Sequence, residues 1–282
     1  MEKPFFTVII PTFNRADKLV KCLNSVLSQT FDNFEIVVFD DGSSDNTEKI
    51  LLAEFDDPRI RYFWQEGSGC PANPRNRGIS KSRGVWIAFL DSDDVWYPEK
   101  LEIVYKKIQT QSEIDVICHN ERLCDQINNT KYKISHFNKA AGIFRSVKKN
   151  HLYRSLLLGW NCLSPSATSL RKSFLIEKKL IFNESIDFVI VEDYDLWLHL
   201  AKNGAVFSFI DKTLGDYIVD DANIYGDWER YIKNLRNLYE HHAFDVQEFE
   251  PNKEKIYNRL IAKIHFLCLK RAIKEKKISE VF

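Results

Sequence analysis

The chain lacks any apolar run approaching the roughly 20 residues needed to cross a bilayer. Its first residues, Met1-Glu2-Lys3-Pro4, lack the charged, apolar, small-residue order of a signal peptide. A cytoplasmic location is therefore the expectation. It also lacks net charge: 40 basic residues balance 40 acidic ones, so no overall field draws in nucleic acid, and no nucleic-acid partner is expected. The six cysteines include no CxxC pair and no ligand-like grouping with histidines, so free, buried thiols are the expectation. Internal repeats and low-complexity tracts are absent, which excludes solenoids and disordered linkers.

What is present is an ordinary globular composition, 44% hydrophobic and 28% charged over 282 residues, enough to bury a substantial core. Phe6-Thr7-Val8-Ile9-Ile10 reads as a buried strand ending at Pro11. A helix over Asp17–Gln29 follows, and then a second apolar strand, Phe34-Glu35-Ile36-Val37-Val38-Phe39. The small polar run Asp40 to Asp45 suits a turn and a helix cap before a helix over Asn46–Phe55. A strand over Ile60–Trp64, a Gly/Pro/Asn-rich loop over Gly67–Pro74, a short helix and a strand over Val85–Leu90 continue the rhythm. Further on, the pattern predicts a helix from Pro98 to Gln111, a strand over Ile114–Cys118, and a hairpin with loops within Asn120–Lys149. A helix from Glu192 to Asn203, a strand over Ala205–Ile210 and helical structure from about Trp228 complete it.

Strands alternating with helices at this spacing predict an α/β fold, a mostly parallel sheet covered on both faces, and ligands in such sheets sit at the carboxyl ends of the strands. Three polar clusters occupy those ends: Pro11-Thr12-Phe13-Asn14-Arg15, Asp40-Asp41-Gly42-Ser43 and Asp91-Ser92-Asp93-Asp94. They are expected to converge on one crevice.

Carboxylates crowded at a strand end repel one another unless a cation or hydrogen-bond donors neutralise them. Mg²⁺ or Mn²⁺ meets that need, since both prefer carboxylate and phosphate oxygens and bind through one or two carboxylates plus a diphosphate. The competing reading is a solvated acidic turn capping the helix after Pro98. A carboxylate from Asp40-Asp41 in the crevice mouth can accept the imide N–H of a uracil, although Asp-Gly is also a common turn. Arg15, Arg75 and Arg77 lie where they can meet phosphate or base, and each singly can equally be a surface arginine. Trp197 reads as core, and Trp160 as a sugar-stacking residue.

Five ordered blocks carry a resemblance: Thr7 to Arg15, Ser25 to Thr30, Glu35 to Asp45, Pro74-Arg75-Asn76-Arg77-Gly78-Ile79, and Phe89-Leu90-Asp91-Ser92-Asp93-Asp94. Together they resemble the inverting family-2 glycosyltransferases of the GT-A fold. The likeness is firm over the first hundred residues, looser to about Tyr217, and slight beyond. It implies a catalytic domain over 1–217 and a helical C-terminal extension over 218–282.

By that resemblance Pro11, Thr12, Phe13, Asn14, Arg15, Asp41, Arg75, Asp91 and Ser92 hold the nucleotide-sugar. Asp93 binds Mn²⁺ or Mg²⁺ with Asp91 assisting, and Asp193 of the Glu192-Asp193 pair is the general base. The activity implied is transfer from a nucleoside diphosphate sugar, a UDP-sugar in the first place, to a saccharide or lipid-linked saccharide in cell-surface polysaccharide synthesis. The residue types suit that chemistry on their own account. A diphosphate leaving group gathers charge that a metal stabilises, and an attacking hydroxyl needs a carboxylate to remove its proton. Without the family likeness, Glu192-Asp193 is simply a helix start favoured by the helix dipole.

The chain departs from the family in two places. Relatives carry Arg or His after the tyrosine of the last core strand, whereas here Tyr217 is followed by Ile218-Val219-Asp220-Asp221-Ala222-Asn223. Pro74 stands where relatives have alanine before Arg-Asn. The segment Ser164-Pro165-Ser166-Ala167-Thr168 resembles the part that borders the donor sugar. From Pro251 to Phe282 nine basic residues face three glutamates, among them Lys263, Lys270, Arg271, Lys274, Lys276 and Lys277. A basic helix with an apolar stripe can lie on the inner face of an anionic membrane or pack on the catalytic domain. Two alternatives stay open: a sugar nucleotidyltransferase, which wants a glycine-rich phosphate loop that Pro11-Thr12-Phe13-Asn14 is not, and a non-catalytic nucleotide-sugar binder.

Overall fold

In the computed structural model residues 3–125, 130–134, 151–219 and 227–275 are described. The first half alternates as expected: β1 (Phe6–Thr12), α1 (Ala16–Leu27), β2 (Phe34–Asp40), α2 (Thr47–Glu54), β3 (Ile60–Trp64), α3 (Ala72–Lys81) and β4 (Trp86–Phe89). Every residue of β1 and β2 is buried, the signature of central parallel strands covered on both faces. The second half comprises β5 (Val95–Trp96), α4 (Lys100–Thr110), β6 (Val116–Asp125), β7 (Thr130–Ile134), α5 (Leu152–Leu158), β8 (Thr168–Arg171), α6 (Lys172–Lys178), α7 (Glu192–Lys202) and β9 (Phe207–Val219). Two further helices follow, α8 (Trp228–His241), which runs on through a π turn, and α9 (Lys253–Glu275).

All strands join one sheet in the order β3-β2-β1-β4-β8-β6-β9-β5, with β7 paired to β6. Strands β1 to β4 are parallel, β8 is antiparallel to both β4 and β6, β9 is parallel to β6, and β5 is antiparallel to β9. In register Thr12 lies opposite Asp40, and Asp40 opposite Trp64, so the carboxyl ends of β1, β2 and β3 finish level. Ligands of such sheets sit against that level edge, so it forms the floor of the candidate site.

The alternation along β1 sends Val8 and Ile10 to one face, against Leu19, Leu23 and Leu101, and Ile9 to the other, against Phe89, Leu170 and Trp197. The second core also takes in Leu235, Leu238 and Tyr239 of α8 and Ile256, Leu260 and Ile264 of α9. The basic C-terminal helix is thus packed on the sheet domain by its apolar stripe. Lys274, Lys276 and Lys277 fall on side chains outside the described residues.

Several expectations needed correction. The strand after α4 runs to Asp125 rather than Cys118, because its far end pairs with β7 and β9. The strand expected to end at Ile210 continues to Val219: the ladder to β6 shifts register at Asp211-Lys212 and resumes with Thr213 opposite Asn120, ending with Val219 opposite Asp125. The short strands β5 and β8 and the helices α5 and α6 were not anticipated. A two-residue strand and a four-residue strand reading Thr-Ser-Leu-Arg carry too few positions to show a period. The hairpin expected within Asn120–Lys149 exists as β6 and β7, and the remainder of that segment lies outside the described residues.

Candidate active site

The loop after β1 turns at Asn14, which adopts φ +50°, a left-handed conformation that asparagine tolerates. Its amide oxygen accepts from the backbone N–H of Ser44, 2.8 Å away, while its own N–H donates to Ser43 Oγ. The first two polar clusters are therefore stitched together directly. Thr12 is buried with its hydroxyl lacking a partner among the described residues, and Phe13 is 54% exposed beside it.

At the end of β2 the two aspartates separate in role. Asp40 caps its own turn, accepting from Ser43 N–H and the Tyr62 hydroxyl. Asp41 accepts from Gln65 Nε2 at 2.6 Å, Ser68 N–H at 3.0 Å and Ser68 Oγ at 2.8 Å. A carboxylate offers about four lone-pair positions, so roughly one remains for a ligand N–H. Gly42 makes this arrangement possible. Its φ is +88°, and a Cβ there would stand 2.6 Å from the Gly67 nitrogen.

The acidic cluster after β4 divides likewise. Asp94 is structural: its oxygens accept from Ser166 Oγ and from Ile218 N–H, tying β9 to the crevice floor. Burial, then the neighbouring Asp93 and Glu121, push its carboxyl up. Asp91 and Asp93 face guanidinium groups instead. Arg15 pairs with Asp93, and Arg75 donates to Asp91 Oδ1 at 2.7 Å. Burial raises the Asp93 carboxyl against the opposing charge of Arg15. Ser92 is buried between them. The sequence departure at Pro74 is harmless, because Pro74 sits in the first turn of α3, where its missing N–H costs nothing.

Arg75 is the hinge of the site. Only 4% exposed, it donates through one terminal nitrogen to Asp91 and through the other to Glu192 Oε1 at 2.7 Å. Its Nε has no acceptor among the described residues. Burial opposes the charge, but Asp91 and Glu192 outweigh it and hold the guanidinium firmly protonated. Arg77, by contrast, is solvent-exposed on the same helix.

Through Arg75 the end of β4 meets the start of α7. Ile190, buried and β-branched, holds φ +78° just before that helix, an outlier costing on the order of 1–3 kcal/mol. Glu192 and Asp193 occupy the first helical turn, as expected, and both are buried. Asp193 accepts from Tyr194 N–H and, more loosely, from Asn161 Nδ2 at 3.3 Å. Burial first, and then the charge of Glu192, push its carboxyl up to about 7. Trp197 lies in the core, as expected, with its indole donating to Leu163 O.

Asn161 was overlooked as a partner of Asp193 and gave no sequence signal beyond its place after Trp160. Lys263, grouped from the sequence with the basic residues of the last helix, is partly buried, reaching from α9 to the carbonyls of Leu157 and Gly159 and lying 4.8 Å from the Trp160 ring centre. Burial lowers its ammonium to about 7. The Ser164–Thr168 loop is a polar hub, with Ser164 Oγ on Glu121 and Ser166 Oγ on Asp94. The stretch Asp220–Asn223, where the family places a diphosphate contact, lies outside the described residues. All six cysteines are free, three of them buried. No described helix is long and apolar enough to cross a membrane.

With this geometry in hand, the comparisons are decisive for the family. The profile of Glycosyl transferase family 2 matches residues 7–177. The chain belongs to that family. Over 205 residues it is 32% identical to an uncharacterized glycosyltransferase of Rickettsia typhi, covering 72% of this chain and 61% of that protein. The chain thus spans about 61% of the length of that curated relative. It is also 32% identical over 208 residues to the Escherichia coli UDP-Glc:alpha-D-GlcNAc-diphosphoundecaprenol beta-1,3-glucosyltransferase WfgD, covering 73% of each protein. Among solved structures, S. aureus TarS 1-349 in complex with UDP-GlcNAc superposes with a TM-score of 0.70 at 23% identity, covering 93% of this chain and 72% of that one. The fold is accordingly that of the GT-A glycosyltransferases, with a helical C-terminal region.

Proposed function

We propose that this chain transfers a sugar, with inversion, from a nucleoside diphosphate donor to a saccharide or lipid-linked saccharide acceptor, using Asp193 as the general base. The observation that carries the reading is the Asp91–Arg75–Glu192 bridge, which joins a partly buried acidic edge to a buried, weakly solvated carboxyl beside Glu192. In the reading Pro11, Thr12, Phe13, Asn14 and Arg15 cradle the nucleoside, with Phe13 free to stack on the base. Asp41 uses its remaining lone pair on a base N–H, and UDP is favoured because a uracil carries that proton. The names of WfgD and the TarS complex, which include UDP-Glc and UDP-GlcNAc, support a UDP donor.

The donor set at Asp91 and Asp93 fits Mn²⁺ or Mg²⁺: both side chains offer only oxygens, each retains one oxygen not hydrogen-bonded to arginine, and Asp94 is committed elsewhere. Bound there, the ion would stabilise the charge that collects on the departing diphosphate. Arg15 and Arg75 now supply the countercharge, and they hold the two carboxylates in place. Asp193 takes the proton from the acceptor hydroxyl. A carboxyl raised to about 7 suits that task, since a base poised near the working pH transfers protons most effectively. Glu192 raises it further, and Asn161 orients it. The reading divides the chain into a catalytic unit over 1–217 and a helical extension over 218–282, with α8 and α9 supporting α7 from behind.

The test is Asp193→Asn assayed for transfer from UDP-sugars and, by calorimetry with Mn²⁺, for UDP binding. Lost turnover with intact binding supports a catalytic base. Unchanged turnover would sink the assignment, and absence of metal-dependent binding of any nucleoside diphosphate would sink the donor site.

A further inference from the structure

We infer that Asp195, His199 and His241, at the junction of α7 and α8, form a second divalent-cation site, one that takes an imidazole-binding transition metal of the Zn²⁺ class. Asp195 and His199 are four residues apart on α7 and so share one face, and His241 ends α8 opposite them. One ligand atom from each lies within 4.8 Å of the others. The site does not depend on the glycosyl-transfer reading.

Charge is the first argument. The Asp195 side chain is 4% exposed, and among the described residues no lysine or arginine pairs with it. Its neighbours are imidazoles, His242 Nε2 at 3.0 Å and His199 Nε2 at 3.7 Å. A buried carboxylate whose ion-pair partners among the described residues are imidazoles alone lacks a permanently charged neighbour, and a metal ion supplies one.

Orientation is the second. A carboxylate can only accept, so His242 Nε2 carries the hydrogen donated to Asp195, and His242 Nδ1 is the acceptor for the Tyr153 hydroxyl at 3.1 Å. His241 Nδ1 lies 3.0 Å from Asp245 Oδ2 and donates its hydrogen to it, which turns the other ring nitrogen, Nε2, toward a ligand role. Metal-binding histidines are commonly oriented by just such a carboxylate. The carboxylate is buried, while His199 and His241 are 29% and 36% exposed, which provides an entry path and room for a water as fourth ligand.

The donor chemistry separates this site from the crevice. Two imidazoles and one carboxylate favour Zn²⁺ or Co²⁺ over Mg²⁺, whereas the all-oxygen edge at Asp91 and Asp93 has the opposite preference. A metal here would staple α7, with Glu192 and Asp193 in its first turn, to the C-terminal helices.

The full chain, stripped of metal and without nucleotide, should be titrated with Zn²⁺ by calorimetry and with Co²⁺ by visible absorption. One equivalent is expected, with a visible cobalt band and a higher melting temperature in Zn²⁺. Asp245→Asn should weaken binding about 10–100-fold, the usual cost of an outer partner, and His199→Gln or His241→Gln should weaken it more. The exposed His265→Gln should leave Zn²⁺ binding unchanged. A missing cobalt band in the unsubstituted chain would overturn the site whatever the variants do, as would one-equivalent binding that survives in the His199→Gln, His241→Gln double variant.

Discussion

Asp91 and Asp93 each face a guanidinium, whereas Asp193 faces an amide and a backbone N–H. The two corners of the crevice use the same side chain and differ in what neutralises it. In the proposed reading the first is the diphosphate corner, where charge is held in place by opposite charge, and the second is the base corner. At the base corner, a buried carboxyl is left under-compensated, and burial with the adjacent Glu192 keeps a proton on it up to about pH 7. The lesson is that burial alone does not assign a role to an acidic residue; its countercharge does.

The sharpest way to break that comparison is to neutralise one residue at each corner. Asp193→Asn is expected to lower turnover by about 10²–10⁴-fold, the usual worth of general-base catalysis, with nucleotide affinity intact. Asp93→Asn is expected to abolish metal-dependent nucleotide binding. Steady-state kinetics beside calorimetry reads both, and the comparison fails if the two variants lose the same property. The stabilities should also diverge. The Asp193 carboxyl is raised in the folded state, so the folded protein holds a proton that the unfolded chain releases, and stability falls as pH rises between about 4 and 7. Asp193→Asn removes that cost and should stabilise the fold at pH 8 by a few kcal/mol on the order-of-magnitude scale of such shifts. The gain should vanish near pH 4 in denaturant melts.

Arg75 joins the two corners, and its loss should be felt at both. Arg75→Met leaves Glu192 buried without its partner, a defect worth about 3–5 kcal/mol. Burial already raises the Glu192 carboxyl, with Arg75 opposing. Without Arg75 it takes up a proton more readily, so the variant should lose less stability at low pH than at pH 8. Chemical denaturation at the two pH values measures this, and a pH-independent loss would show that Arg75 acts through packing alone.

The pH–rate profile distinguishes the corners in the unsubstituted protein. A base titrating near 7 should make turnover fall about tenfold for each pH unit below that point, as the proton-free fraction falls. A flat profile from pH 5 to 8 would remove Asp193 from the reaction.

The sequence displayed the diphosphate corner far better than the base corner. Phe6 to Arg15, Phe34 to Ser43 and Trp86 to Asp94 are contiguous strand-plus-turn units, so apolar runs announce the strands and the residues after them must reach the crevice. The base corner is assembled across the chain. Glu192 meets Arg75 over 117 positions and Asn161 meets Asp193 over 32, contacts that no local period encodes. The split between Asp93 and Asp94 was equally hidden, because it depends on Ser166 and on β9 continuing to Ile218. Helix α9 read as amphipathic and basic, which is correct on average, yet Lys263, which turns inward, cannot be told from its neighbours by spacing.

That lysine carries the smallest predicted effect. Lys263 donates to the carbonyls of Leu157 and Gly159 at the end of α5, where a cation is favoured by the helix dipole, and it covers the Trp160 ring. The next residue, Asn161, reaches the Asp193 carboxylate. Lys263→Met keeps the apolar stem and removes the donors, so the Trp160-Asn161 loop loses its anchor while the nucleotide edge is untouched. Turnover is expected to fall about fivefold, equivalent to ~1 kcal/mol in the barrier, with the nucleotide Kd unchanged. Lys263→Arg should restore most of it. A change in nucleotide affinity instead would place the C-terminal helix on the diphosphate side and reverse the division between the corners, because Lys263 would then act through the nucleotide edge and not through Asn161 and Asp193.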